Sequence, residues 1–392
     1  MPRLPHLNAR LQGFGTTIFA EMSALAAKTG AINLGQGFPD TDGPAEVSAA
    51  AIEAIGRGEN QYPPGPGTAD LRHAIAEHQQ RFWSMTVDAD TEVLVTAGAT
   101  EAIAATLLAL CEVGDEVIVF DPTYDSYAAS IAMAGAKIRP VLLSPDPETG
   151  RYGFDPAELR AAFSARTRLI LLNTPHNPTG KVFTPGELEL VAELCREHDV
   201  VAVTDEVYEH LVFEGAHLPL ATLPGMAERT VTISSGGKTF SFTGWKIGWA
   251  VASPQLINAI RTAKQFLTFV NGAPFQPAIA VGLRLGDDYY DRFVADLRTK
   301  RDLLGSLLID AGFTVLAPEG TYFTTVDISS MGESDGIGFC LGLPERAGVV
   351  AVPSQVFYQH PTAGRTMVRF CFAKRDEVLR AAGQRLIDAF AG

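Results

Sequence analysis

The sequence predicts an α/β protein, with a mostly parallel sheet sandwiched by helices and a smaller α+β domain after it. Three observations predict this. Residues 93–96, 116–120, 169–172, 200–204 and 230–233 are short apolar runs without polar alternation, the pattern of strands covered on both faces. Helical segments separate these runs, as in a chain that builds a parallel sheet. Each run ends in small, polar or charged residues, and open α/β sheets bind ligands at such strand ends.

The chain has 392 residues, long for one domain and suited to two. We place an N-terminal arm and helix in residues 1–40, joined to the small domain. A large domain follows in 41–290 and the small C-terminal domain in 291–392. The hydrophobic fraction of 46% supports a large core without disulfides. Cys111, Cys195, Cys340 and Cys371 have no paired spacing and read as buried reduced thiols of a cytoplasmic protein. The opening Met1-Pro2-Arg3-Leu4-Pro5 lacks the apolar core of a signal peptide, and no apolar run is long enough to span a membrane. A net charge of -14 argues against nucleic acid as a partner. An anionic ligand must therefore be held by local positive groups.

Taken in order, Phe19, Met22, Leu25 and Ala26 recur at helical spacing. The glycines and Pro39 of Gly35-Gln36-Gly37-Phe38-Pro39 mark a loop, and Phe38-Pro39 stands where a dinucleotide-binding loop would open its helix. Residues 60–67 are too rich in proline and glycine for regular structure. Strand 93–96, the small-residue turn 97–100 and helix 101–110 form an anion site, because free N–H groups and the helix dipole favour a phosphate there. Gly98, Ala99 and Thr100 are its cup. Strand 116–120 runs into Tyr124, with Tyr127 expected as packing.

Asp155-Pro156-Ala157-Glu158 and Thr184-Pro185-Gly186-Glu187 read as capping boxes that open two helices. Between them, strand 169–172 leads into Asn177-Pro178-Thr179-Gly180. Strand 200–204 ends in Asp205, a carboxylate whose burial is costly without a cationic partner. Strand 230–233 ends in Ser234-Ser235-Gly236-Gly237-Lys238, with Lys246 eight residues later. Burial lowers a lysine's pKa, and a partly neutral lysine attacks carbonyls to form Schiff bases. A helix is expected over 254–266, then a long helix crossing to the second domain, which holds a helical segment over 301–311. Strands about Gly320 and a closing helix over 376–390 follow. Arg369 lies inside the hydrophobic strand 367–372, and its planar fork suits a carboxylate.

The string Ser235-Gly236-Gly237-Lys238, with Thr243-Gly244-Trp245-Lys246, resembles the cofactor-lysine motif of class I/II aminotransferases. These are fold-type I enzymes that use pyridoxal 5'-phosphate (PLP) and carry a seven-stranded sheet. Asn33-Leu34-Gly35-Gln36-Gly37-Phe38-Pro39-Asp40 and Asn177-Pro178-Thr179-Gly180 extend the resemblance over nearly the whole chain. It implies that Lys238 is the Schiff-base lysine and proton carrier, and that Ser235 and Lys246 hold the cofactor phosphate. Tyr124 would stack on the pyridine ring. Asn177 and Tyr208 would share the ring hydroxyl, and Asp205 would keep the ring nitrogen protonated. Arg369, with Gly37 and Asn177, would orient the amino acid, and Phe19 would border its pocket. Tyr62 would reach the partner's site in a homodimer, with residues 269–276 at the interface.

The resemblance further implies ping-pong exchange of an amino group between an amino acid and a 2-oxo acid, without a metal. Asn60-Gln61-Tyr62-Pro63-Pro64-Gly65-Pro66-Gly67 and Gly272-Ala273-Pro274-Phe275-Gln276-Pro277 are similar to N-succinyldiaminopimelate aminotransferases. The Gln36–Asp40 and Gly244–Gly248 strings are also similar to the glutamine, methionine and kynurenine aminotransferases, but the resemblance favours N-succinyldiaminopimelate as donor and 2-oxoglutarate as acceptor. Cysteine-conjugate β-elimination would use the same residues. A PLP-sensing regulatory module would normally carry a basic DNA-binding domain, for which there is no room before Phe19.

Overall fold

The computed structural model describes residues 6–360 and 362–391; the Met1–Pro5 stretch of the expected arm lies outside them. The central sheet has seven strands, β1 (Val93–Thr96), β2 (Glu116–Asp121), β3 (Lys137–Leu142), β4 (Thr167–Asn173), β5 (Val201–Asp205), β6 (Thr230–Ser235) and β7 (Gly248–Val251). Their spatial order is β1-β7-β6-β5-β4-β2-β3. Every neighbouring pair is parallel except those made by β7, which runs antiparallel to both β1 and β6. Residues of β1, β2, β6 and β7 are buried on both faces, as their apolar runs require.

Two of these strands are not visible in the hydrophobic pattern. β3 carries Lys137, Arg139 and Pro140 because it is the sheet's edge, where charge and proline prevent further pairing. β7 is four residues long inside a glycine-rich stretch. Its position matters for the site. Gly248 stands opposite both Thr96 and Ser235, so β7 starts where β1 and β6 end. On the other side Asn173 is level with Asp205. The strand ends thus align along one edge.

The second layer is a four-stranded antiparallel sheet ordered β8-β9-β11-β10, from β8 (Thr314–Leu316), β9 (Phe323–Asp327), β10 (Val352–Pro353) and β11 (Met367–Cys371). One hydrophobic cluster joins it to the N-terminal helix Ile18–Thr29 through Met22 and Ala26. The same cluster takes in Leu304 and Leu308, Phe339 and Leu343, and Leu379 and Leu386. The helix Asp287–Asp310 bridges the layers. Tyr290 in its first turn packs with Val47 and Phe240 of the large layer, whereas Leu297, Leu304 and Leu308 pack in the small one. The sequence pattern over 301–311 is the C-terminal half of this helix. The closing helix spans Asp376–Phe390 as expected, and the helix from Pro254 stops at Lys264, short of 266.

The two capping signals differ in outcome. Thr184 and Glu187 form the reciprocal box, and the second oxygen of Glu187 pairs with buried Lys181 at 2.8 Å. Asp155 caps Ala157 N at 2.8 Å, but Glu158 turns away to accept from Leu142 N at 3.1 Å. Pairing to the edge strand wins over the local box. The four cysteines are unpaired; Cys195, Cys340 and Cys371 are buried, and Cys111 is only half-buried at the end of its helix. Among the described residues no helix is long and apolar enough to cross a membrane.

Thr184→Ala removes the cap and leaves Glu187 without its hydroxyl partner. The expected cost is about 1 kcal/mol, read as a lower urea midpoint with an unchanged slope.

Candidate active site

A cavity of about 330 Å³ opens between the two layers at the aligned strand ends. Its floor comes from the large sheet. Lys238 projects from the helical turn Gly236–Thr239 that follows β6. Asp205 ends β5, and Asn173 ends β4. The roof comes from Gly37 and from Phe323 and Arg369 of the small sheet.

Asp205 is enclosed, and burial pushes its carboxyl up to about 6. Tyr127 Oη donates to Oδ2 at 2.6 Å and Val207 N to Oδ1 at 3.3 Å, both opposing that rise. Tyr127 is therefore a site residue and not mere packing. Its signal was its spacing, since three residues past Tyr124 on the helix Asp125–Ala134 point back toward the same strand ends. Behind the sheet, Glu209 accepts from Ser234 Oγ and Trp83 Nε1, both at 2.6 Å. Glu206 pairs with His217 at 2.7 Å. These contacts fix the loop after Asp205 from its far side. Glu209, His78 and His210 bring ligand-type atoms within 4.8 Å. The two imidazoles hydrogen-bond each other at 2.7 Å, and burial pushes His78 down to about 3. This is a neutral hydrogen-bonded pair beside an already partnered carboxylate.

Lys238 is surrounded by protein yet faces the cavity. Burial lowers its amine from 10.5 to about 8, with Asp205 and Cys371 opposing the shift. Nζ donates to Tyr322 Oη at 3.0 Å and lies 3.4 Å from Gly37 O. It also lies 5.7 Å from the centre of the buried Tyr208 ring. A substantial fraction of this amine is neutral near pH 8, the form that attacks a carbonyl.

The anion cup is present, with its helix longer than the sequence pattern showed. It spans Gly98–Leu110, so Gly98, Ala99 and Thr100 are its first turn. A helix start leaves four N–H groups without backbone partners; that of Ala97 donates to Glu101 Oε2 at 2.6 Å, which leaves those of Gly98, Ala99 and Thr100 for an anion. Gly98 has φ +75°, and a Cβ there would sit 3.2 Å from Lys246 Nζ. A Cβ on Gly248 would meet Gly98 C at 2.6 Å and Ala99 N at 2.7 Å. The cup therefore exists only because two backbones touch at a glycine. Ser235 and Lys246 line it from the β6–β7 connection. A cup with a helix N-terminus and an ammonium is matched to a phosphate.

Arg369 is 1% exposed. Nη1 donates to Asn177 Oδ1 at 2.9 Å and Nη2 to Gly35 O at 3.1 Å. Nε has no partner, and no carboxylate of the described residues pairs with the guanidinium. Phe19, Phe323 and Phe357 surround it, with Phe323 at 3.9 Å. A buried guanidinium without an anion is strongly unfavourable. Arg369 lines the cavity, which suits an incoming carboxylate. Tyr124 lines the wall between Phe19 and Tyr127, 6.4 and 5.7 Å away between ring centres.

The structure thus gathers Phe19, Gly37, Gly98, Ala99, Thr100, Tyr124, Asn177, Asp205, Tyr208, Ser235, Lys238, Lys246 and Arg369 around one cavity. Tyr62 is outside it, 82% exposed, with its ring edge-on to Phe269 at 5.5 Å. Sequence reasoning missed Tyr127, Asn173 and Tyr322. Asn173 Nδ2 donates to Asp205 O at 2.8 Å, and its Oδ1 accepts from Asn177 N at 2.7 Å.

This geometry can be compared with known proteins. A model of the family "Aminotransferase class I and II" matches residues 29–386. The chain belongs to that family. Its members generally depend on PLP. A Mycobacterium tuberculosis relative, a probable N-succinyldiaminopimelate aminotransferase, is 50% identical over 389 residues, covering 96% of this chain and 97% of its own. The solved structure of N-succinyldiaminopimelate aminotransferase from that organism superposes with a TM-score of 0.95 at 49% identity, covering 98% of this chain and all of the other. The methionine aminotransferase of Escherichia coli is 41% identical, with 98% of each chain covered. Mouse kynurenine–oxoglutarate transaminase 3 is 37% identical, over 95% of this chain and 88% of its own. This aminotransferase is therefore an enzyme of the transferase class, with the mostly parallel sheet of fold type I.

Two substitutions test the site. Tyr127→Phe removes a hydrogen bond that favours ionised Asp205, so that carboxyl rises further. The acidic limb of the pH–activity profile should move up by about 1–2 units. Gly248→Ala drives a Cβ into the Gly98–Ala99 peptide and pushes β7 away from the cup. It should weaken phosphate binding in the cup roughly 10-fold or more, measured by equilibrium dialysis, while the circular dichroism spectrum is unchanged.

Proposed function

We propose that this aminotransferase holds PLP in the interlayer cavity and exchanges the amino group of a long, carboxylate-bearing amino acid with a 2-oxo acid. The observation that carries the reading is Arg369. It is a buried guanidinium with no carboxylate partner among the described residues, and it lines the same cavity as a lysine whose amine is lowered to about 8. The first anchors an α-carboxylate and the second is the reacting amine.

The residues fit PLP. Gly98, Ala99, Thr100, Ser235 and Lys246 would take its phosphate. Tyr124 would lie against the ring, Asn177 and Tyr208 beside its hydroxyl, and Asp205 at its nitrogen. Bound there, PLP supplies an electron sink for charge developing on the substrate Cα. The protein's own part is then positional and protolytic. Asp205 stays ionised against a cationic ring, helped by Tyr127 and the Val207 amide. Arg369 and Asn177 fix the carboxylate, and Phe19 with Phe323 excludes water from one side. Lys238 Nζ accepts the Cα proton and delivers it to the other end of the same proton shift, so that the amine is neutral again within each half of the cycle.

The N-succinyldiaminopimelate relatives at 49–50% identity favour that donor, and 2-oxoglutarate is the acceptor we assign to it. The aromatic lining and the methionine aminotransferase at 41% favour methionine or kynurenine as a second reading. The same reading includes a cytoplasmic homodimer. Exposed Tyr62, Phe266 and Phe269 form an apolar surface that a second copy would cover, with Tyr62 reaching the partner's cavity.

The test is an absorbance spectrum of the PLP-loaded protein, followed by additions of glutamate, methionine, kynurenine and N-succinyldiaminopimelate. The yellow chromophore should bleach fastest with N-succinyldiaminopimelate; faster bleaching by methionine or kynurenine selects the second reading. A protein that takes up no PLP overturns both. PLP uptake by the apoprotein should accelerate as pH rises through about 8 and then level off, because Lys238 is neutral above that value. An unshifted lysine would keep accelerating toward 10.5.

A further inference from the structure

We propose that Tyr322 is a positioning residue that holds the released Lys238 amine with its lone pair turned toward the substrate. The inference rests on the PLP transamination reading above and concerns the half of the cycle in which Lys238 is a free amine.

A neutral primary amine has two N–H donors and one lone pair, and only the lone pair can accept the Cα proton. A flexible four-carbon stem leaves the direction of that lone pair undetermined. Here both N–H groups have acceptors on the same side. Tyr322 Oη is 3.0 Å from Nζ and Gly37 O is 3.4 Å away. Tyr322 Oη has two acceptors for its own proton, Gly37 O at 2.6 Å and the Tyr208 hydroxyl. It therefore accepts from Nζ and does not donate to it. A donating hydroxyl would occupy the lone pair and mask the base; this one leaves it free.

The hydroxyl is placed by an unusual backbone. Thr321 has φ +68°, a left-handed conformation that a β-branched residue rarely adopts. Such strain persists only where the surroundings enforce it, and it gathers at functional sites. The enforcement is visible. Thr321 N donates to Leu211 O at 2.9 Å, and a Cβ on the preceding Gly320 would lie 2.6 Å from that same oxygen. The Tyr322 ring is fully buried and meets Tyr208 edge-on at 5.3 Å. Gly37 is equally constrained, since a Cβ there would be 2.6 Å from Phe323 Cζ.

The step balances on Nζ alone. The Cα–H bond breaks and its electron pair stays with the substrate–cofactor system. Nζ becomes an ammonium, and that ammonium then gives a proton to the cofactor carbon and is a neutral amine again.

The experiment compares wild type with Tyr322→Phe, both loaded with PLP. Borohydride trapping and mass analysis of the Lys238 peptide verify loading. Single-turnover bleaching is then followed with L-glutamate and with Cα-deuterated L-glutamate. Tyr322→Phe should load normally and keep the half-saturating glutamate concentration within about twofold. Its maximal bleaching rate should fall roughly 10- to 100-fold, and its deuterium isotope effect should rise as proton transfer becomes limiting. An unchanged rate and isotope effect overturn the proposal. So does a lower rate with an unchanged isotope effect and a proportionate rise in half-saturation, the signature of a merely structural residue. Should Tyr322→Phe fail to load, Thr321→Gly keeps the hydroxyl but frees its backbone. It should show the same two changes in smaller measure, and wild-type behaviour there also overturns the proposal. A wild type that loads PLP but never bleaches overturns the transamination reading, and this inference with it.

Discussion

Four charged side chains, Asp205, Lys238, Lys246 and Arg369, share one cavity, and the architecture follows from keeping them charged or reactive there. Asp205 is the group on which the others depend. A carboxylate buried at a strand end is destabilised by several kcal/mol unless donors and a cation meet it. Tyr127 and Val207 N supply the donors. Asn173 braces the backbone beneath through Asp205 O. Glu206 and Glu209, tied to His217, Ser234 and Trp83, hold the following loop from behind. That loop carries Tyr208 into the cavity, so one buried charge organises polar contacts on both faces of the sheet.

The cavity is also the seam between the layers. Arg369, from the small sheet, is bonded to Asn177 of the large one and to Gly35 of the N-terminal segment. Tyr322 makes a second stitch, to Lys238 and Gly37. Neither layer alone holds a complete site. The guanidinium fork is oriented before any carboxylate arrives, so binding does not have to order a long flexible side chain.

Much of this was legible in the residues. Buried strands announce themselves by uninterrupted apolar runs, and the charged or small residues that end them marked the site. Lys238, Asp205 and Arg369 stood out because each is a charge in apolar surroundings, which demands a partner. What escaped was of two kinds. β3 and β7 were hidden, one because an edge strand carries charge and proline, the other because its glycine serves a contact with Gly98. Tyr127, Asn173 and Tyr322 were hidden because tyrosine and asparagine pack or hydrogen-bond equally well anywhere. Only long-range geometry, such as 78 residues between Tyr127 and Asp205 or 84 between Lys238 and Tyr322, gives them a role.

The helix Asp287–Asp310 adds a mechanical dimension. Its 24 residues make a stiff rod about 36 Å long. One end is embedded against Val47 and Phe240, and the remainder against the small sheet's core. Next to Tyr290, Tyr289 Oη donates to Thr239 O at 2.7 Å, at the end of the very turn that carries Lys238. Any tilt of the small layer is therefore transmitted along the rod as a pull on the turn beneath the reacting amine. The lysine is coupled to the roof through its tip and through its root, and its height in the cavity is set by how the two layers sit.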